Sequence, residues 1–174
     1  PNPVYARLRN PTVAGFENAL ADLESAEAAV AFASGMAAIT AMVLAAGSEA
    51  APDGWARGRH IVAIRPIYGG TDHLLATGIL GTEVTWAEPD EVAESLREDT
   101  CLVLLETPAN PTLAMVDIAG VVSQVRATEK RFGYRIAVAV DNTFATPILQ
   151  RPLELGADLV VHSATKFLGG HGDV

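Results

Sequence analysis

The sequence predicts an α/β fold in which a mostly parallel sheet carries helices on both faces. Three observations point there. Short apolar runs alternate with helical patterns along the chain. The runs HIVAI, CLVLLE and IAVAV are apolar at successive positions, as strands covered on both faces are. Nearly half of the 174 residues are apolar, enough for one sizeable core.

The elements follow in order. Phe16, Leu20 and Leu23 recur at helical spacing from Val13 onward, AVAFAS (29–34) reads as a strand, and MAAITAMVLAAG as an apolar helix ended by Gly47. A polar, turn-rich loop spans residues 48–59. HIVAIRPIY then reads as a strand, TDHLLATGIL as a short helix and TEVTWAE as a strand. PDEVAESLRED is expected as a helix opened by Asp90, before the buried strand CLVLLE. The clearest helix is DIAGVVSQVRATEKRFG. Its inner stripe is Ile118, Val121, Val122 and Val125, Asp117 suits its N-cap, and Lys130, Arg131 and Gly133 mark its end. The strands RIAVAV and DLVV flank FATPILQRPLELGA.

Charge narrows the partners. With 21 acidic and 12 basic residues the formal net charge is -9, which disfavours nucleic acid and anionic membrane. The lone Cys101 in CLVLLE reads as a buried thiol and allows no disulfide framework, which suits a reducing, cytoplasmic setting. His60, His73, His162 and His171 are scattered without partners at ligand spacing, so no metal site is expected.

Ligands of parallel sheets sit beyond the carboxyl ends of the strands, and the residues expected there are chemically varied. Ser34-Gly35-Met36 opens a helix, where backbone N–H groups and the helix dipole suit a phosphate; Ser163 and Thr165 add hydroxyls. Tyr68 offers a flat face beside Gly69 and Gly70, and Asp141 emerges from a buried strand as an acid in need of donors or a cation. Lys166 follows the apolar run DLVV. Pyridoxal phosphate suits this set: a lysine captures its aldehyde as a Schiff base, an Asp keeps its ring nitrogen protonated, and a dipole-rich pocket takes its phosphate.

The segments YARLRNPT, ASGMAA, IYGGT, ETPANPT, VDNTFATP and HSATKFLGGHGDV, in this order, resemble the Cys/Met-metabolism family of pyridoxal phosphate enzymes. That family includes cystathionine γ-synthases, cystathionine γ-lyases, methionine γ-lyases and O-acylhomoserine sulfhydrylases. The resemblance implies that Lys166 carries the cofactor and shuttles protons, and that Asp141 pairs with the ring nitrogen. Gly35, Met36, Ser163 and Thr165 would hold the phosphate. Tyr68 would stack on the ring and assist proton transfer at the leaving group, Asn110 would lie by the ring oxygen, and Tyr5 and Arg7 would reach a neighbouring subunit's phosphate.

It further implies an aspartate-aminotransferase-like (fold type I) large domain over residues 13–174, incomplete at its C-terminus, and an arm over residues 1–12. The assembly implied is a homotetramer of two active dimers. Two departures stand out. Gly70 occupies the place of a cysteine in methionine γ-lyases, an expectation against methionine as preferred substrate. The chain also has about half the family's length and lacks the C-terminal domain with its substrate-carboxylate arginine, so it reads as part of a longer enzyme.

The structural alternatives are a surface lysine at 166, a turn-capping role for Asp141, ordinary turn hydroxyls at Ser163 and Thr165, a turn residue at Asn110 and a loop aromatic at Tyr68. Glu106 reads as a structural acid bonded to nearby backbone. The expected activity is pyridoxal phosphate-dependent elimination or replacement at Cγ of a sulfur amino acid or an activated homoserine. Its alternatives are a β-eliminating cystathionine or cysteine lyase, and a noncatalytic cofactor-binding fragment.

Overall fold

The computed structural model describes residue 5 and residues 10–49 and 51–171. Five strands form one sheet in the order β2-β1-β3-β4-β5, with every pair parallel. They are β1 His60–Ile64, β2 Glu83–Ala87, β3 Thr100–Glu106, β4 Ala137–Asp141 and β5 Leu159–Val161. The three central strands β1, β3 and β4 are buried along their whole length, as their uninterrupted apolar sequences require.

Helices supply the cover. They are α1 Pro11–Glu24, α2 Gly35–Ala46, α3 Gly69–Ala76, α4 Val92–Ser95, α5 Ile118–Phe132 and α6 Thr146–Leu149, with a 3-10 turn at Pro152–Leu155. Helix α5 follows its sequence closely. Asp117 accepts the Gly120 N–H at 3.1 Å, Gly133 ends the helix at φ 81, and Ile118, Val121, Val122 and Val125 are buried. Burying each of these side chains stabilises the fold by about 1.5–3 kcal/mol.

Four expectations need correction. The segment 29–34 is not a strand: among the described residues it pairs with no other strand, Val30 and Phe32 are exposed, and its anchor is the Ala31 N–H donated to Glu17 at 2.7 Å. The helix expected from Asp90 shrinks to α4, because Leu96 turns extended into the core and the Thr100 hydroxyl takes the Arg97 N–H at 2.8 Å. Helix α1 starts at Pro11, with Asn10 as N-cap accepting from Thr12 N, two residues before its expected start. Its apolar residues Phe16 and Leu23 are exposed, while its buried residues are Ala21 and, unexpectedly, Glu24. No helix among the described residues is long and apolar enough to cross a membrane.

Candidate active site

The carboxyl ends of β3, β4 and β5 align in register, Glu106 with Asp141 and Asp141 with Val161. The parallel sheet therefore sets two carboxylates side by side at one edge, with His162 next along the chain. A cleft of about 190 Å³ opens above them. Gly35, Met36, Tyr68, Asn110, Asp141, Ser163, Thr165 and Lys166 all line it, so the structure brings together eight of the ten residues expected from sequence. Tyr5 is half-exposed and not among the lining residues. Arg7 lies outside the described residues.

Helix α2 points its N-terminus into the cleft. Ser34 caps it by accepting the Ala37 N–H at 3.1 Å, and among the described residues the Gly35 and Met36 N–H groups donate to no protein acceptor. A Cβ added at Gly35 would stand 3.0 Å from the Ser163 Cβ, so glycine lets the helix start come up against the loop after β5. Backbone donors, the helix dipole and the Ser163 and Thr165 hydroxyls converge there, a donor set that fits a phosphate.

Asp141 ends β4 and is buried. Its Oδ1 accepts Thr143 N at 3.0 Å and the Thr143 hydroxyl at 2.5 Å, so it does cap the following turn. The same hydroxyl accepts Ser163 N at 2.8 Å, which locks the loop after β4 to the loop after β5. Burial pushes the Asp141 carboxyl above the usual carboxylate range, against the two Thr143 hydrogen bonds and the nearby His162, which favour its ionised form. A buried acid with one oxygen engaged by Thr143 fits a ring N–H donor beside it.

Glu106 behaves as the structural acid expected. Its carboxylate accepts the Tyr68 N–H on one oxygen and the Asn110 N–H at 2.9 Å on the other, and thereby fixes two loops that line the cleft. Burial raises its pKa, the neighbouring Asp141 charge adds to the rise, and the Asn110 and Tyr68 bonds oppose it. Lys166 is exposed at the cleft, its N–H donated to Ser163 O at 3.2 Å, and it forms no ion pair among the described residues. No group of three or more His, Cys, Asp or Glu side chains among them could hold a metal ion.

Sequence reasoning did not assign Ser34, Ile39, Thr143, Phe144 or His162 as site residues, although all line the cleft. For Thr143 the signal was available in the Asp-Asn-Thr turn; for His162 it was not, because its partner Glu24 lies 138 residues away.

The chain resembles known proteins over nearly its whole length. An L-methionine gamma-lyase of Brevibacterium aurantiacum is 57% identical over 170 residues, covering 98% of this chain and 38% of that protein. The crystal structure of metB from Corynebacterium glutamicum superposes with a TM-score of 0.82 at 38% identity, over 99% of this chain and 43% of that one. The cystathionine gamma lyase CalE6 of Micromonospora echinospora gives a TM-score of 0.80 at 38% identity, over 98% and 42%. The chain thus spans about two fifths of the length of the proteins it matches. The sequence model of the family described as "Cys/Met metabolism PLP-dependent enzyme" matches residues 2–174, and the chain belongs to that family.

Proposed function

We propose that the protein containing this chain uses pyridoxal phosphate to catalyse elimination or replacement at Cγ of a sulfur amino acid or an activated homoserine. The supporting observation is that Lys166, Asp141 and the α2 N-terminus share one cleft. When bound, the cofactor supplies an electron-withdrawing ring that stabilises negative charge at the substrate Cα.

The chain's own residues divide the remaining work. Lys166 Nζ would hold the cofactor aldehyde covalently and would act as the base that removes the α-proton. Asp141 would accept the ring N–H, and Gly35, Met36, Ser163 and Thr165 would hold the phosphate. Tyr68 would cover the ring and hand a proton to the leaving group, while Asn110 would lie beside the ring oxygen. In the assembled protein Tyr5 and Arg7 serve a neighbouring subunit's phosphate, which makes the active unit at least a dimer, and a tetramer of two such dimers is the assembly we favour. Methionine and cystathionine are the leading substrates, since relatives named for both match almost the whole chain.

In the full-length protein, borohydride reduction followed by peptide mapping should place the pyridoxyl group on Lys166, and Lys166→Ala should abolish both the visible absorbance and turnover. A pyridoxyl group on another lysine would overturn the assignment. Thiol release from methionine, cystathionine and O-acylhomoserines then ranks the substrates.

A further inference from the structure

Glu24 closes α1 with its side chain 1% exposed, and its Oε1 lies 2.5 Å from Nε2 of His162, itself 3% exposed. The same oxygen accepts Asn142 Nδ2 at 3.0 Å. Asn142 is held in turn by Gln150, whose amide also donates to Thr107 O at 2.9 Å. A helix whose apolar side faces outward therefore inserts one acid beneath the ends of β4 and β5.

That acid is poorly satisfied. Glu24 Oε2 and His162 Nδ1 are buried without a hydrogen-bond partner among the described residues. A buried carboxyl–imidazole pair with unmet atoms is commonly less stabilising than apolar side chains of the same volume, so packing does not account for it. What the pair supplies is a fixed imidazole at the cleft. His162 follows Val161, the register partner of Asp141, and its protonated form favours the Asp141 carboxylate.

Resting on the cofactor reading above, we propose that Glu24 is a positioning residue acting through His162 on Asp141. The Glu24 carboxylate holds the imidazole in place beside the ends of β4 and β5, and that ring in its protonated form favours the Asp141 carboxylate, so that the shared proton stays on the cofactor's ring nitrogen instead of moving to the carboxylate. The other titratable groups lining the cleft are Glu106 from β3, Tyr68 before α3 and Lys166 after β5. Glu106 is engaged by the Tyr68 and Asn110 N–H groups, which leaves the His162 imidazole as the neighbour next to Val161, the β5 register partner of Asp141.

The test uses full-length enzyme loaded with pyridoxal phosphate carrying ¹⁵N in its ring, whose nitrogen chemical shift reports the proton directly. Wild type should show a protonated nitrogen and Asp141→Asn an unprotonated one. Glu24→Gln, which keeps shape and a hydrogen-bond acceptor but no charge, should move the signal toward the Asp141→Asn value and weaken cofactor binding by about tenfold. In the Asp141→Asn background the same change should have no further effect. His162→Gln keeps a side-chain amide donor for Glu24 without a cation and should reproduce the shift, deciding the matter if Glu24→Gln fails to assemble. A lowered melting temperature with a wild-type nitrogen signal would show a structural role only and overturn the inference. So would a Glu24→Gln effect of equal size with and without Asp141. If wild-type enzyme does not bind the cofactor through Lys166, the functional reading falls and this inference falls with it; a protonated wild-type nitrogen with silent variants removes the inference alone.

Discussion

Gly70 shows how one missing side chain sets the shape of the cleft. A Cβ there would stand 2.5 Å from Tyr68 Cε1 and 3.2 Å from Met36 Sδ, so any side chain pushes the Tyr68 ring from its present position. Gly70→Cys in the full-length enzyme should therefore move that ring and raise the kcat/KM ratio of methionine over cystathionine by roughly tenfold, in the range one altered pocket contact supplies. An unchanged ratio would separate position 70 from substrate choice. Cys101 makes the opposite kind of case. It is 2% exposed, and burial pushes its thiol up to about 11, leaving roughly a thousandth of it as thiolate at pH 8. Native protein should give no modification of Cys101 by iodoacetamide at that pH, whereas denatured protein should react fully, as peptide mass spectrometry would record. Cys101, Asp141 and Lys166 were legible in the sequence because each lies within or shortly after an apolar run that marks a strand. Glu24 was not, because the partner that buries it, His162 just after β5, is one no local pattern announces.

At the level of elements, the sheet carries its own acid-sensitive joint. His60 opens β1 fully buried, with Nδ1 2.7 Å from the Thr100 hydroxyl of β3 and Nε2 2.9 Å from the Thr85 hydroxyl of β2. Arg97 donates to both hydroxyls, through its backbone N to Thr100 and its guanidinium to Thr85. Protonating the ring would make both its nitrogens donors toward oxygens that already accept. Desolvation first, and the Arg97 charge second, hold its pKa below the ordinary histidine value, against Asp99 and Glu83. The sign follows: the unfolded chain takes up a proton near pH 6.5 that the folded chain refuses, so this contribution to stability is complete above that pH. It is lost as pH falls toward the folded pKa, at no more than about 1.4 kcal/mol per pH unit. Asp141 and Glu106, with raised pKa values, contribute with the opposite sign, so the difference between wild type and His60→Gln isolates the histidine. Melting temperatures should fall more steeply from pH 7 to pH 5.5 in wild type than in the variant; parallel curves would remove the joint. Sequence patterning located β3, β4 and α5 to within about two residues of their ends, because burial and capping there are local, but it carried β1 on through RPIY, four residues past its end at Ile64. It failed at 29–34, where an apolar alternation has no neighbouring strand to pair with, and at α4, where a threonine hydroxyl from the next strand ends the helix early.

For the whole molecule, the governing fact is how little positive charge the cleft holds. The chain carries a formal charge of -9, and among the described residues the basic side chains lining the cleft are Lys166, which we assign to the aldehyde, and His162, paired with Glu24. A phosphate dianion held there by helix dipole and hydroxyls alone would lack a charge-assisted bond. Arg7 is the residue we assign to supply it. An arginine fork beside the Tyr5 hydroxyl matches phosphate geometry, and the proline-rich run before α1 suits an arm that reaches another subunit. In the full-length protein, Arg7→Ala should be nearly inactive through lost cofactor affinity and Lys166→Ala through lost covalent chemistry. Co-expressing the two creates mixed dimers in which one cleft combines an intact lysine with the partner subunit's intact arginine. Those dimers should recover up to half the activity of a wild-type dimer, because one of the two clefts is then complete. An arm serving its own subunit gives no such cleft, since every chain then carries one defect in its own site. Mixed dimers demonstrated by mass spectrometry but devoid of activity would therefore reject the shared site and return the phosphate to the dipole and hydroxyls of a single chain.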